Sequence, residues 1–357
     1  MKKISFFLLL SFFVTFAYSQ PEGFTAITKV KTTPPKDQAR AGTCWSFATV
    51  SFIETEVLRI TEKEFDLSET FPVYYAYLDK AEMYIRLQGL TNFGQGGQAH
   101  DVMNVIKEYG IVPEAVYPYT NKDHTKLEKK LKNYLDSILK LDSIPRKWID
   151  GYQKILDKGL GVPPTKFTFE GKDYTPRSFV TQVLEFNPNN YIELTSFNHH
   201  EFYQEFALEV PDNWSRDLYY NVSLDDLMKI IEEALMNGYS VDWDGDVSEK
   251  TFDTKTGMAT LEGKGGNKKM QVLAPQSFRQ TLFDRQFTTD DHLMHAVGIF
   301  KGPFGGKFYL IKNSWGEYPP FDGYIYMSED FVMYKTIAIL VHKDAIPELI
   351  KEKLKID

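Results

Sequence analysis

The chain of 357 residues contains one cysteine, Cys44, and its setting suits nucleophilic chemistry. Cys44 directly precedes residues 45–60, whose apolar side chains recur at helical spacing, so we expect the thiol in the first turn of a buried helix. The positive end of a helix dipole favours the thiolate, which is the nucleophilic form of cysteine. A lone cysteine is otherwise most often a small buried apolar residue. The position at a helix start therefore favours a reactive thiol with a lowered pKa.

Gln38 lies six residues before Cys44 and meets a second chemical requirement. Its side-chain amide can fold back beside the sulfur and donate a hydrogen bond next to the backbone N–H of Cys44. Two such donors form an oxyanion hole, which stabilises the negative oxygen that develops when a nucleophile attacks a carbonyl. The two residues together therefore predict nucleophilic attack on a carbonyl group.

A cysteine nucleophile also needs a base and a group that orients the base. Of the seven histidines, His292 and His295 lie in a segment with a strand-like pattern. Residues three apart on a strand face opposite sides, so only one of the two imidazoles can face Cys44. Asn313 can orient that imidazole, because its amide oxygen can accept a hydrogen bond from the ring. Trp315 can then cover this bond from water and strengthen it.

Two short motifs resemble those of papain-like cysteine peptidases. They are the nucleophile segment Gln38-x5-Cys44-Trp45-Ser46-Phe47-Ala48 and the asparagine segment Lys312-Asn313-Ser314-Trp315-Gly316. The resemblance favours His292 as the base, because the family's catalytic histidine lies six residues before the glycine that ends its strand, here Gly298. It also often follows an acid, here Asp291, and His295 is the alternative. The resemblance implies that Cys44 attacks a peptide carbonyl as a thiolate paired with the imidazolium.

Looser motifs between about residues 37 and 350 are similar to the bleomycin hydrolase and aminopeptidase C branch of that family. The resemblance implies an α+β papain-like fold with two lobes and an active site in the cleft between them. One lobe is helical and carries the nucleophile helix, and the other is an antiparallel β-sheet or barrel. Gly96 and Gly97 are expected to pair with an extended substrate through main-chain hydrogen bonds, with Gly42, Asp291 and Trp315 also lining the substrate site. No metal or organic cofactor is implied.

His199 and His200 are the one pair of histidines that invites a metal-site interpretation. Adjacent residues point apart on a strand or helix, and no cysteine or further histidine stands nearby in the sequence to complete a ligand set. The pair is therefore expected in a surface loop without a metal.

The pattern of helices and strands predicts five regions. They are a signal peptide at 1–19, an N-terminal segment at 20–36, a mainly helical lobe at 37–215 with an insertion at about 121–190, a mainly β lobe at 216–345 and a short helical tail at 346–357. One or two amphipathic helices are expected within 124–160. Strands are expected at 294–299, 308–312, 324–327 and 336–342.

The N-terminal sequence and the net charge indicate where the protein is located and which partners it can have. Lys2 and Lys3 precede a short apolar run and small residues up to Ser19, the pattern of a cleaved secretory signal, so we expect a secreted or periplasmic protein without stable membrane insertion. Loss of the two lysines takes the net charge from −8 to −10. An acidic chain without a basic stripe is a poor nucleic-acid binder. Peptide substrates are the expected partners, and homo-oligomerisation is left open.

Two features differ from the pattern of the family that the chain resembles, and they leave alternative functions open. The segment between Gln20 and Cys44 is too short for a large inhibitory prosegment. The arm that fills the cleft in the aminopeptidase C branch is expected to be missing after the helix that follows Pro347. An aminopeptidase is favoured, and a secreted endopeptidase or a cysteine-based acyl transferase is the alternative among enzymes. A non-catalytic papain-fold binding protein is the alternative outside them.

Overall fold

The computed structural model describes residues 20–261 and 275–356, so the predicted signal peptide at 1–19 lies outside the described residues. The helices of the described part are α1 (Cys44–Thr61), α2 (Thr70–Arg86), α3 (Ala99–Glu108), α4 (Thr125–Leu139), α5 (Trp148–Leu160), α6 (Pro176–Gln182), α7 (Leu224–Met236), α8 (Pro275–Asp284), α9 (Glu329–Lys335) and α10 (Glu348–Leu354). The predicted nucleophile helix is confirmed and begins at Cys44 itself.

The strands are β1 (Thr25–Lys29), β2 (Phe167–Phe169), β3 (Lys172–Tyr174), β4 (Tyr191–Thr195), β5 (Glu205–Ala207), β6 (Leu218–Asn221), β7 (Val241–Gly245), β8 (Phe252–Asp253), β9 (Met258–Ala259), β10 (His292–Lys301), β11 (Lys307–Lys312), β12 (Tyr324–Ser328) and β13 (Thr336–His342). All four strands predicted after residue 290 are confirmed, as β10 to β13. Their long runs of buried Val, Ile, Leu and aromatic residues favour strands that are covered on both faces.

One large sheet organises the second half of the chain. Within the described residues its order is β5-β6-β4-β13-β7-β10-β11-β12-β9-β8, and β1 pairs with β10. Most strand pairs in this sheet are antiparallel, as expected, and β4 with β6 and β9 with β12 are parallel pairs that make the sheet mixed. β1, β4 and β5 also join this sheet although they precede residue 216. The lobe boundaries themselves stay a prediction.

The first apolar core lies among α1, α2, α3 and the α4–α5 pair. The predicted amphipathic helices within 124–160 are confirmed as α4 and α5. Leu127, Leu131 and Leu135 are spaced four residues apart on α4, so they lie on one face and are buried there. The hydroxyl of Tyr152 on α5 donates to the carbonyl of Tyr77 on α2 at 2.7 Å and fixes the pair against the helical core. Helices α4 and α5 therefore add to the helical core.

Helix α1 packs directly against β10 and β7, and polar pairs cross that contact. Thr49 donates to Asp242 at 2.6 Å, and Ser51 lies 2.9 Å from Nδ1 of His295. These pairs fix the rotation and height of α1 relative to the sheet, because each buried polar atom must keep its partner. The first residue of α1 is thereby held beside the first residues of β10.

A second polar contact joins α3 to the sheet. Nδ1 of His100 lies 2.7 Å from the Glu193 carboxylate, and both side chains are buried. Burial alone would lower the pKa of His100, but the Glu193 charge raises it to about 9. The pair is therefore an ion pair at neutral pH and ties the first turn of α3 to β4.

Candidate active site

Cys44 lies half-buried at the start of α1, and its neighbours are fixed by buried bonds. The indole N–H of Trp45 donates to the carbonyl of Gln95 at 2.8 Å, and the hydroxyl of Ser46 donates to the carbonyl of Glu69 at 2.8 Å. The first N–H groups of a helix have no carbonyl partner within the helix. The N–H of Cys44 is one of these groups, so it is suited to bind an oxygen beside the sulfur.

Gln38 is held close to the asparagine motif by main-chain pairing. Its N–H donates to the Ser314 carbonyl at 2.8 Å, and the Ser314 hydroxyl donates to its Oε1 at 2.6 Å. One N–H of its side-chain amide donates to the Ala41 carbonyl at 2.9 Å. Because Oε1 already accepts, the amide orientation is fixed. The second N–H of the amide remains for an incoming oxygen.

Buried charges anchor the loop that leads to Gln38. The Lys36 ammonium lies 2.8 Å from Glu54 on α1 and 2.7 Å from Glu69. Glu54 is fully buried and also accepts from the backbone N–H of Leu67 at 2.8 Å. Removing the lysine would take away the ammonium that contacts both carboxylates, so the loop position depends on this network.

His292, Asn313 and Trp315 form one assembly. Nε2 of His292 lies 2.9 Å from Oδ1 of Asn313, and the Trp315 ring stacks on the imidazole with 4.9 Å between ring centroids. His292 and Asn313 are buried, whereas Trp315 is 38% exposed and covers them from solvent. Because Nε2 is engaged by the amide, Nδ1 is the ring nitrogen left for the thiol.

The start of β10 also influences the sulfur. The backbone N–H of Leu293, the residue that follows His292, acts to lower the pKa of Cys44, and α1 packs against β10. The two predicted partners, 248 positions apart in the sequence, are therefore neighbours at the junction of α1 and β10.

His295 lies elsewhere. It is fully buried between α1 and β10, with Nδ1 against Ser51 and its ring edge-on to Phe52 at 5.9 Å between centroids. Ser51 is seven residues, or two helical turns, beyond Cys44. Burial and the nearby charge of Lys312 hold the pKa of His295 well below its ordinary value. It is a neutral histidine of the α1–β10 contact.

The ionisation of the site differs from the sequence expectation. Burial raises the pKa of Cys44 to about 12, and the charges of Asp290, Asp244 and Asp212 add to the rise against the stabilising Leu293 N–H. Burial lowers the pKa of His292 to about 4. The expected lowering of the thiol pKa by the helix dipole is thus wrong, because burial and the charges of the three acids outweigh the dipole. Both shifts favour the neutral thiol and the neutral imidazole over the thiolate–imidazolium pair.

The sequence profile described as "Peptidase C1-like family" matches residues 17–357. The chain belongs to the peptidase C1-like family. Aminopeptidase C of Lactobacillus helveticus is 23% identical over 91% of this chain and 82% of its own length. Aminopeptidase W of Lactobacillus delbrueckii subsp. lactis is 24% identical over 95% and 87%.

Two further relatives extend this comparison. Mitochondrial cysteine proteinase 1 of Saccharomyces cerevisiae is 23% identical over 92% of this chain and 79% of its own length. The crystal structure of PepW from Lactobacillus rhamnosis superposes with a TM-score of 0.75 at 20% identity, covering 93% of this chain and 84% of that one. The predicted α+β papain-like fold is confirmed. In residues 20–261 and 275–356 no helix is both long and apolar enough to cross a membrane.

The glycine segment of this peptidase C1-like chain lies next to the nucleophile. The Lys80 ammonium donates to the carbonyls of Gly94 and Gly96 and holds the turn in place. A Cβ on Gly97 would lie 3.0 Å from the Trp45 ring, so only glycine fits there. The predicted substrate residues Gly96 and Gly97 thus lie on the Trp45 side of the site.

The other predicted substrate residues, Gly42, Asp291 and Trp315, differ in their contacts. The N–H of Gly42 is taken by Oε1 of Gln95 at 2.8 Å, so this group is not free for a substrate. Asp291 is exposed and accepts from the Thr289 hydroxyl at 2.8 Å. Trp315 covers the histidine, as described. Of these three, only Trp315 contacts a member of the proposed catalytic set.

Sequence reasoning missed an acidic cluster beside the thiol, formed by Asp212, Asp244 and Asp290. Asp290 accepts from Nε2 of Gln98 at 2.8 Å, and the carboxylate of Asp212 lies where a side chain on Gly96 would project. A signal for Asp244 was present, because it and Asp242 flank Trp243 in the buried strand Val241–Gly245 and charged residues are rarely fully buried unless they are paired.

The two adjacent histidines do not point apart, so that expectation is wrong. Nε2 of His199 and Nε2 of His200 lie 3.0 and 2.6 Å from the two oxygens of Glu209, in a turn where sequence reasoning also placed them. Nε2 of Gln280 donates to Nδ1 of His199 at 2.9 Å, and its Oε1 accepts from the N–H of Asn198. The proton of His199 is therefore on Nε2, where it faces Glu209, and the cluster is a hydrogen-bonded group at the surface.

Proposed function

We propose that this chain is a cysteine aminopeptidase of the aminopeptidase C and bleomycin hydrolase type. The observation that carries the proposal is the His292 ring between Asn313 and Trp315 at the start of β10, the strand against which α1 packs with Cys44 as its first residue. The names of the aminopeptidase C and W relatives support the exopeptidase specificity.

In the proposed mechanism Cys44 passes its proton to Nδ1 of His292 as the sulfur attacks a peptide carbonyl. The Cys44 N–H and the second amide N–H of Gln38 receive the developing oxyanion. The imidazolium, held by Asn313, then gives its proton to the leaving amine. Water attacks the thioester with the same imidazole as base, releases the acid product and restores the thiol. Charge separation is confined to the reacting pair, which agrees with the raised pKa of Cys44 and the lowered pKa of His292.

The activity test compares matched fluorogenic substrates. We expect alanyl-aminomethylcoumarin with a free amine to be cleaved and its N-acetyl form to be cleaved far more slowly. Cys44→Ala is expected to abolish cleavage and covalent labelling by an epoxysuccinyl inhibitor. Equal cleavage of both forms would favour an endopeptidase, and acylated amine products would reveal transfer. Absence of labelling in the unaltered protein would favour a binding protein.

The choice of base has its own test. His292→Ala is expected to lower kcat by about 10³-fold or more. His295→Gln keeps a hydrogen-bond partner for Ser51 and is expected to keep kcat within about tenfold, with a lower unfolding midpoint. The reverse pattern, an active His292→Ala beside an inactive but folded His295→Gln, would overturn the assignment.

We propose that the protein is exported, with residues 1–19 as a cleaved leader. Lys2, Lys3 and the following apolar run support this location. N-terminal sequencing of protein recovered from periplasm and medium tests it. A start near Gln20 is expected, whereas recovery of the intact N-terminus from the cytoplasm would refute export.

A further inference from the structure

The strand that begins with His292 starts at a junction of three chain segments. Strand β7 lies between β10 and β13, and its last residue, Gly245, is paired in register with His292 on one side and with Thr336 on the other. A Cβ on Gly245 would lie 2.5 Å from the carbonyl oxygen of Lys335, so the segments approach closely here. The residues next to Gly245 therefore determine where His292 enters the sheet.

Lys335 and Asp246 form a buried ion pair at this junction. The Lys335 ammonium lies 3.0 Å from Oδ2 of Asp246, and the N–H of Asp246 donates to the Lys335 carbonyl at 2.9 Å. The N–H and the hydroxyl of Ser248 donate to Oδ1 of Asp246 at 2.8 and 2.6 Å. Asp246 is fully buried and Lys335 is 1% exposed. Both oxygens of the carboxylate are therefore held, and neither side chain is accessible to a substrate.

The same ion pair holds the segment 287–291, which lies between α8 and β10. The Lys335 ammonium donates to the Phe287 carbonyl at 2.6 Å, and Oδ2 of Asp246 accepts from the N–H of Thr289 at 3.3 Å. One buried ammonium and one buried carboxylate thus bind the main chain of this segment at two points. Loss of either charged group would release it.

His292 follows this segment directly, so the segment helps to fix the position of its ring. The ring must keep Nε2 at 2.9 Å from Oδ1 of Asn313 while Nδ1 serves the thiol of Cys44. A misplacement of about 1 Å caused by a change far from the reacting atoms can lower a rate by about 100-fold. The bonds of the ion pair to the segment 287–291 are therefore close enough to the base to affect catalysis without touching the substrate.

We propose that Lys335 is a positioning residue for the base His292 and acts through Asp246 and the segment 287–291. This inference rests on the proposed peptidase function and deepens it. Without the ammonium, Asp246 remains as a buried charge that has lost its cation, and the Phe287 carbonyl loses its donor. The segment then shifts to recover partners, and the imidazole leaves the alignment that proton transfer requires.

The main test compares two variants that each take a cation from a buried carboxylate. Lys335→Met acts next to His292, whereas Arg59→Met removes the guanidinium at 2.7 Å from the fully buried Glu56, in the last turn of α1. Both are assayed with alanyl-aminomethylcoumarin at a temperature where they are folded. We expect Lys335→Met to lower kcat about 10- to 100-fold with KM within about threefold, and Arg59→Met to keep both within about threefold. Similar losses in the two variants, or an unchanged kcat in Lys335→Met, would overturn the proposal.

A double variant separates positioning from a general loss of stability. Asn313→Ala and Lys335→Met act on the same ring, so we expect their combined loss of kcat to be well below the product of the two single losses. Losses that multiply in full would refute the role of Lys335. Asp246→Asn breaks the same link with little change in volume and replaces Lys335→Met if the latter does not fold. The same fall in kcat is expected, and an unchanged kcat would contradict the proposal.

A further readout does not depend on peptide cleavage. Because Cys44 is the only cysteine, its alkylation by iodoacetamide reports on this thiol alone, and the reaction needs the thiolate that forms when His292 takes the proton. We expect Lys335→Met to slow alkylation at pH 7 by about 10-fold or more, as His292→Ala does, and Arg59→Met to leave it unchanged. A normal rate in Lys335→Met would overturn the proposal. The expected pattern in a protein that cleaves no peptide would refute the peptidase function alone.

Discussion

Replacing Asn313 by alanine removes the acceptor at 2.9 Å from Nε2 of His292 and leaves the imidazole held only by the stacked Trp315. The His292 ring is 5% exposed, so water does not replace the lost partner. A hydrogen bond to a charged group is worth about 1.5–3 kcal/mol, and the ring becomes charged only during the reaction. We therefore expect kcat to fall roughly 10- to 150-fold with little change in KM.

The conservative variant Asn313→Asp separates orientation from structural support. It keeps an acceptor for His292, and the Tyr318 hydroxyl, which now accepts from Asn313 at 3.1 Å, can donate instead. The added charge raises the pKa of His292. Asn313→Ala lowers that pKa, because the hydrogen bond to the Asn313 amide is what raises it in the unaltered protein. We expect Asn313→Asp to recover part of kcat and to move the acid limb of the pH profile upward. Equal losses in both variants, or a loss matched by a lower urea midpoint, would refute the orienting role.

Three further predictions concern stability. Lys36→Met leaves Glu54 buried without its cation and should lower the free energy of unfolding in urea by about 3–5 kcal/mol; an unchanged midpoint would contradict the network. Gly110→Ala places a Cβ about 2.3 Å from the backbone of Pro176 at a φ of +91° and should lower the free energy of unfolding in urea by about 2–4 kcal/mol. An unchanged midpoint would show that the turn relaxes and would contradict this prediction. Glu193 raises the pKa of His100 to about 9. The contribution of the ion pair to folding stability is therefore complete below about pH 6.5 and is lost as the pH rises through 9. His100→Gln should abolish this pH-dependent loss of stability, as measured by thermal unfolding.

The elements that carry chemistry could be predicted because their signals are local. The apolar periodicity after Cys44 located α1, and the β-branched runs located β10 to β13. Strand alternation predicted that only one of His292 and His295 faces Cys44, and the choice of His292 came from the resemblance to papain-like peptidases. In the structure His292 lies beside Asn313. The helix and strand predictions needed only neighbouring residues and one geometric rule.

Features that depend on distant residues could not be predicted in this way. The pKa of the thiol depends on Asp212 and Asp290 as well as on α1, and their proximity follows from the fold. The convergence of His199 and His200 on Glu209 follows from a turn that neither strand nor helix rules describe. The parallel pairs in the sheet also arise from the order in which distant segments return to it.

The pairing of β1 with β10 sets a limit on how the N-terminus can be trimmed. Thr25 to Lys29 cover Gly298 to Lys301, and the N–H of Val30 donates to the carbonyl of Val297 at 2.7 Å. A proteolytic cut after β1 would remove the strand that pairs with residues 298–301 of β10. The unpaired edge of β10 could then pair with strands of other chains and cause aggregation. Maturation that preserves a monodisperse protein must therefore cut before Thr25, and expression tags belong ahead of that residue as well.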